Sequence, residues 1–168
     1  MHIVLIEPEI PGNTGNIARL CAGTSIELHL VKPLGFSVDD KHLKRAGLDY
    51  WHLVKVHYHE NFNEVLNEYK GHNFHYCSTK AAKIYSDAKY ESEDLLVFGK
   101  ETAGIPEDIL RENWERTVRI PMQEGARSLN LSNAVAVVAY EALRQQNFNS
   151  LLKKGLGLRL YMTEEGLA

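Results

Sequence analysis

Residues 118–145 read VRIPMQEGARSLNLSNAVAVVAYEALRQ, and the fold is decided by how this stretch changes character along its length. Residues 118–120 are apolar and strand-like, and Pro121 stops them. A polar turn follows from Gln123 to Arg127, with Gly125 inside it. Ser128-Leu129-Asn130-Leu131-Ser132-Asn133 is then a run of small hydrogen-bonding side chains broken only by two leucines. From Ala134 the chain is apolar at six successive positions and reads as a helix through Arg144. A helix apolar on nearly every side is buried on more than one side. Asn130 or Ser132 caps it. Its first turn presents backbone N–H groups that need acceptors, beside small polar side chains, which suits a ligand.

The same alternation extends outward. Residues 2–6, 28–31, 54–58, 74–77 and 95–98 read as strands. Helices are expected over 16–24, 61–69 and 106–113, the last with Pro106 at its first position. Residues 39–47 read as a short helix, acidic at its start and basic near its end, which complements the helix dipole. Strands alternating with helices imply an α/β fold with a mostly parallel sheet flanked by helices. Ligands bind such sheets outside the carboxyl ends of the strands. Four loops leave those ends: 7–16, 78–83, 99–105 and 121–131. They hold much of the chain's Gly, Ser, Thr and Asn.

Bulk properties narrow the class. The 168 residues fit one domain with a real core, and 44% hydrophobic with 24% charged residues is ordinary for a globular protein. A formal net charge of −3 argues against nucleic-acid binding by bulk charge and leaves a local basic face open. No run approaches a membrane span, and the start Met1-His2-Ile3-Val4 lacks signal-peptide character, so a cytoplasmic location is expected. Cys21 and Cys77 are expected to be reduced.

Several chemistries fail on the residues. Gly99 and Gly104 have phosphate-loop spacing, but Ile105-Pro106 stands where Lys-Ser/Thr is required. No G-x-S-x-G elbow surrounds Ser128 or Ser132. His57, His59 and Glu60 suggest a metal, yet no third ligand cluster is visible, and the reading is a surface strand with no metal. What remains is a pocket of amides, hydroxyls and small side chains, with Arg19, Glu101 and Arg127 nearby. It suits a nucleoside-type cofactor, with Ile120, Met122 and Leu129 for the ring faces. A transfer driven by positioning fits that inventory.

Three ordered segments carry a resemblance. They are Asn13-Thr14-Gly15-Asn16-Ile17-Ala18-Arg19, the run from Leu96 through Gly99-Lys100-Glu101 to Pro106, and Ile120-Pro121-Met122 with Ser128 to Ala134. They resemble the three motifs of the SPOUT superfamily of knotted RNA methyltransferases. The stretch 7–11 and residues Asp40-Lys41 with 45–50 are similar to its TrmL-type branch, which 2′-O-methylates the wobble cytidine or uridine of tRNA. The match covers about residues 2–147.

The resemblance implies properties that spacing does not. The C-terminal half of the sheet is expected to form a deep trefoil knot, an exception to the rule against threading. S-adenosylmethionine is the expected cofactor. Its contacts fall on Cys77, Ser78, Gly99, Ile120 and Ser128, flanked by Met122 and Leu129, with Glu101 counted among them. Arg19, Asn16, Ser128 and Asn130 match catalytic positions. An arginine stays protonated. Arg19 is therefore read as a clamp on an RNA phosphate and a stabiliser of the developing alkoxide, and no residue is assigned as proton acceptor. Lys41, Lys44 and Arg45 become candidate contacts to the anticodon stem-loop of tRNA. A homodimer is implied, and leucine tRNAs are the expected acceptors. Residues 1–155 are taken as one methyltransferase domain and 156–168 as a tail without assigned role. The alternatives are methylation of another RNA, such as ribosomal RNA, and a non-catalytic RNA-binding or ribosome-assembly factor of the same fold.

Overall fold

The protein is described here from a computed structural model covering residues 1–37, 52–149 and 151–155. The helix expected over 39–47, with Lys41, Lys44 and Arg45, and the 156–168 tail lie outside the described residues. Strand β1 (His2–Ile6) is followed by helix α1 (Pro11–Thr24), β2 (Glu27–Val31), β3 (Val56–His59), α2 (Phe62–Glu68) and β4 (Phe74–Cys77). Then come β5 (Leu95–Phe98), α3 (Glu107–Glu112), β6 (Thr117–Val118) and α4 (Leu131–Gln145).

The six strands form one sheet in the order β3-β2-β1-β5-β4-β6, and every pairing is parallel. Chain order reverses beside β1, which puts the loops after β1 and β5 next to each other at the carboxyl edge. Both faces of the sheet are covered, so β1 and β5 are buried at every position and read as continuous apolar runs. On one face Ile3, Leu5, Leu28 and Leu96 pack with Ile17 of α1 and Val138 of α4. On the other, Val4, Val31, Tyr76 and Val97 pack with Val65 of α2 and Leu110 of α3. Each such aliphatic side chain contributes about 1.5–3 kcal/mol by leaving water.

Three elements differ from the sequence reading. Helix α1 starts at Pro11, five residues earlier than expected, so the loop after β1 spans only residues 7–10. Proline is preorganised for a first helical position, and Gly12 and Gly15 are tolerated behind it. Arg19 therefore sits in the middle of the helix, outside the first turn. Strand β6 is shorter than the expected 118–120: it pairs with β4 over two residues and continues as a single bridge from Arg119 to Ile84. Pro106 caps α3 from outside instead of opening it.

The histidine strand is the edge of the sheet with Tyr58 exposed, as a surface strand would be, but its histidines turn inward. His59 is buried, and Glu60 turns away to Lys32 at 2.5 Å. His57 and His59 of β3 join His2, His29 and Glu27 in one cluster that starts at the amino ends of β1 and β2 and runs along one face to the end of β3. His29 is fully buried there. Burial, and then the neighbouring His57, His2 and His59, push its imidazole down to about 3, so the ring is neutral. Cys21 and Cys77 are free thiols. Burial pushes the Cys21 thiol up to about 12.

Among the described residues no helix is long and apolar enough to cross a membrane.

Candidate active site

The site begins at Gly99, the first residue after β5. A Cβ built there would lie 2.0 Å from the carbonyl carbon of Gly104 and 2.1 Å from the Ile105 nitrogen. The 99–104 loop therefore folds directly back onto the end of its own strand, closed by Gly104 N–H donating to the Lys100 carbonyl at 2.8 Å. Gly104 makes this turn at φ +72°, a left-handed conformation that glycine adopts at little cost.

Folded this way, the loop projects Glu101 onto the start of α1. The Glu101 carboxylate accepts from Glu9 N–H at 2.8 Å, Ile10 N–H at 3.2 Å and Asn13 Nδ2 at 2.9 Å. Helix α1 has no side-chain cap of its own at Ile10, and Glu101 supplies the missing acceptor from across the sheet. The grip is mutual. Glu9 accepts from Thr102 Oγ1 at 2.7 Å, and Lys100 reaches Glu7 at 2.9 Å.

Asn13 passes the connection on. Its Oδ1 accepts from Asn130 Nδ2 at 2.9 Å. Asn130 Oδ1 in turn accepts from Ser132 N–H at 3.0 Å and Ser132 Oγ at 2.7 Å, capping α4. Glu101, Asn13, Asn130 and Ser132 thus form one relay that fixes two helix N-termini against one loop. Its two asparagines each donate with nitrogen and accept with oxygen, so every amide group in it has a partner.

Replacing Asn130 by Ala removes both the cap and the link to Asn13. Loss of a cap costs about 0.5–2 kcal/mol. We expect a thermal midpoint lowered by that cost and weaker binding of S-adenosylhomocysteine, read by calorimetry; a variant equal to the parent in both would remove Asn130 from the site.

Beneath the relay lies a cavity of about 590 Å³, a size ordinary for a small-molecule site. All eight residues expected to hold the cofactor line it: Cys77, Ser78, Gly99, Glu101 on one side, and Ile120, Met122, Ser128, Leu129 on the other. Asn130 lines it as well. Glu101 both lines the cavity and holds the start of α1 through its carboxylate. Burial raises the Cys77 thiol well above its ordinary value, which leaves it a neutral wall. Phe98 and the first turns of α4, through Leu131, Ala134 and Val138, complete the lining. The sequence reading placed a ligand at this helix's first turn without naming a stripe. Its 131/134/138 spacing is the signal that the same face borders a cavity.

Asn16 and Arg19 are elsewhere. They project from the exposed side of α1 into a second, shallower groove of about 380 Å³, shared with Ser132, Asn133, Ala136 and Tyr140 of α4. Of the four expected catalytic residues, Ser128 and Asn130 border the first cavity, while Asn16 and Arg19 border the second. Helix α4 separates the two, with Leu131, Ala134 and Val138 on the cavity side and Asn133, Ala136 and Tyr140 on the groove side. Tyr140 is 47% exposed in the outer groove. Val137 is half-buried and belongs to neither core cluster.

A parallel α/β sheet with a cavity under the loops at its carboxyl edge is the arrangement in which such folds bind small ligands and cofactors. Known proteins narrow this further. Residues 1–140 match the SpoU rRNA Methylase family. A Listeria monocytogenes protein described as a putative tRNA (cytidine(34)-2'-O)-methyltransferase is 54% identical over 156 residues, 91% of this chain and 92% of its own. A solved structure reported as giving structural insights into the 2-OH methylation of C/U34 on tRNA is 42% identical with a TM-score of 0.84, covering 88% of this chain and 96% of its own. The SpoU methyltransferase AviRb of Streptomyces viridochromogenes, solved in complex with AdoMet, is 25% identical with a TM-score of 0.75, over 88% of this chain and 58% of its own. The chain belongs to the SpoU methylase family.

Proposed function

We propose that this protein is an S-adenosylmethionine-dependent enzyme that methylates the ribose 2′-hydroxyl of the wobble nucleotide, cytidine or uridine 34, in the tRNA anticodon loop. The observation that carries the reading is that all eight expected cofactor residues line one cavity, in a chain 54% identical along nearly its full length to a putative tRNA (cytidine(34)-2'-O)-methyltransferase. The cavity fits the cofactor by chemistry as well as by size. Ser78 and Ser128 offer hydroxyls to polar edges, Ile120, Met122 and Leu129 give apolar walls to a ring, and the tightly folded Gly99 loop brings backbone close to the ligand.

When bound, S-adenosylmethionine supplies an electrophilic methyl group on a sulfonium. The chain's residues then have three tasks. Ser128 and Asn130, at the mouth between cavity and α4, border the place where methyl and ribose meet. Arg19 clamps an RNA phosphate and stabilises negative charge as it develops on the 2′-oxygen. The loops exclude water and hold the oxygen in line behind the methyl carbon.

Arg19 and the cavity face different sides of α4, so we propose a homodimer in which the outer groove of one protomer meets the cavity mouth of its partner. The exposed Tyr140 lies in that contact. Tyr140→Asp is expected to give monomers by light scattering at low concentration, and a variant that remains dimeric would place the interface elsewhere. The proposal includes the knot expected in the C-terminal half, a single catalytic domain over 1–155, a cytoplasmic location and leucine tRNAs as acceptors. Lys41, Lys44 and Arg45 are proposed to contact the anticodon stem-loop. Replacing the three by Ala should weaken tRNA binding and flatten its salt dependence, and an unchanged slope would remove them from the interface.

Nucleoside mass spectrometry of tRNA from cells with and without the gene, paired with transfer of labelled methyl to bulk tRNA in vitro, tests the function. Loss of 2′-O-methylcytidine or 2′-O-methyluridine at position 34 is expected. Label in ribosomal RNA alone, or none at all, would overturn it in favour of a ribosomal substrate or a non-catalytic factor.

A further inference from the structure

We propose that His2, His29 and Glu27 form a binding site for a zinc-type divalent metal ion at the end of the sheet opposite the cofactor cavity. Three of the clustered histidines form a chain. His2 Nδ1 lies 3.1 Å from His29 Nε2, and His29 Nδ1 lies 3.0 Å from His59 Nε2. A carboxylate stands at each end: Glu93 is 3.8 Å from His2 Nε2, and Glu68 is 3.9 Å from His59 Nδ1. The two inner gaps are of hydrogen-bond length, and the outer ones, at 3.8 and 3.9 Å, are longer than a hydrogen bond. With the His2 N–H turned toward Glu93 and the His29 N–H toward His59, the lone pairs of His2 Nδ1 and His29 Nε2 face each other across 3.1 Å, an arrangement that a cation seated between them satisfies.

The gap between His2 and His29 has a third donor. One ligand atom from each of His2, Glu27 and His29 lies within 4.8 Å of the other two. Two imidazole nitrogens and a carboxylate are a donor set that zinc takes with one position left open. The 3.1 Å between the nitrogens is close to the edge of a tetrahedron built on Zn–N bonds of about 2.05 Å, roughly 3.3 Å. The outer ring of the site is also built. A metal-bound imidazole normally donates its second N–H to a fixed acceptor. His29 Nδ1 has His59, and His2 Nε2 faces Glu93. The His29 ring plane is held by His57 stacked at 4.5 Å and by the edge of Tyr69 at 5.1 Å. Glu27 is held by His57 and Lys55, each at 2.8 Å.

The donors come from adjacent strands, His2 from β1 and the other two from β2. A metal there clips the two strands together. Its effect is on stability, and the methyl-transfer site at the other edge is left as it is.

Protein stripped with a chelator and titrated with zinc chloride should take up one Zn²⁺ per chain by equilibrium dialysis with elemental analysis. Its thermal midpoint should rise with free Zn²⁺, because only the folded state holds the site. Cobalt(II) in its place should give the visible absorption of a tetrahedral ion. His29→Gln and Glu27→Gln should each weaken Zn²⁺ binding by about 100-fold or more, beyond what a lost second-shell partner costs. Methyl transfer by Glu27→Gln should match the parent. Should His29→Gln fail to fold, Glu27→Gln decides alone, since Glu27 begins a strand at a partly exposed position. Zinc uptake unchanged in Glu27→Gln, or no stoichiometric uptake by the parent, would overturn the site and leave a hydrogen-bonded histidine ladder.

Discussion

Arg19→Ala is expected to bind S-adenosylhomocysteine as the parent does and to lose about 10²–10³-fold in turnover. That is the magnitude reached when one preorganised group is withdrawn from a developing negative charge. The structure gives the reason for separating the two readouts. Arg19 borders the outer groove, and of the residues of α1 only Asn13, in its first turn, lines the cofactor cavity. In the proposed dimer, Arg19 of one protomer completes the site of the other. This makes a complementation test decisive. Ala134→Phe, which fills the cavity from the first turn of α4, serves as the partner variant deficient in cofactor binding. Co-expressed with two tags, the variants form mixed dimers as about half of the population, and each mixed dimer keeps one intact site of two. About a quarter of parent activity should return. No recovery in verified mixed dimers would place Arg19 within its own subunit. Full activity in Arg19→Ala alone would remove it from catalysis.

Gly99→Ala carries the second large effect, and it acts through the protein's own backbone. A residue at this strand end invites the expectation that a side chain would simply obstruct the ligand, with the fold intact. The geometry corrects that: a single methyl group meets Gly104 and Ile105 main-chain atoms near 2 Å, with no flexible side chain to yield. The loop must open. Opening it withdraws Glu101 from the start of α1, since both depend on the same turn. Gly99→Ala should therefore lose measurable S-adenosylhomocysteine binding and also lower the thermal midpoint. It should raise hydrogen exchange at Glu9 and Ile10, whose N–H groups lose their acceptor. Loss of binding with unchanged exchange there would mean that the methyl group meets the ligand alone.

Much of this arrangement was legible in the sequence because it rests on local rules. The buried strands announce themselves as apolar runs, and Asn130 stands where a cap must stand. The eight residues expected to hold the cofactor were picked out through ordered motifs, and the topology brings their loops to one edge, where all eight line one cavity. What stayed hidden is non-local. Pro11 is a local start signal, but the glycines behind it mask it, and the acceptor that takes the place of a cap is Glu101, in a loop distant in sequence. The hold of Glu101 on the start of α1 was hidden for the same reason. His57 and His59 looked like a solvent-facing pair because alternation along one strand does not reveal what the next strand offers. Only the pairing of β3 with β2 and β2 with β1 brings His29 and His2 to them.

Helix α4 is the wall shared by the cavity and the outer groove, and Ser132 in its first turn answers to Asn130 on one side and lines the groove on the other. In the proposed dimer this makes occupancy and assembly two readings of one equilibrium. Whatever free energy the cofactor gains from the paired form, the pair gains from the cofactor, by reciprocity. If that coupling is favourable, dilution of the proposed dimer discharges the cofactor, and shortage of methyl donor loosens the pair.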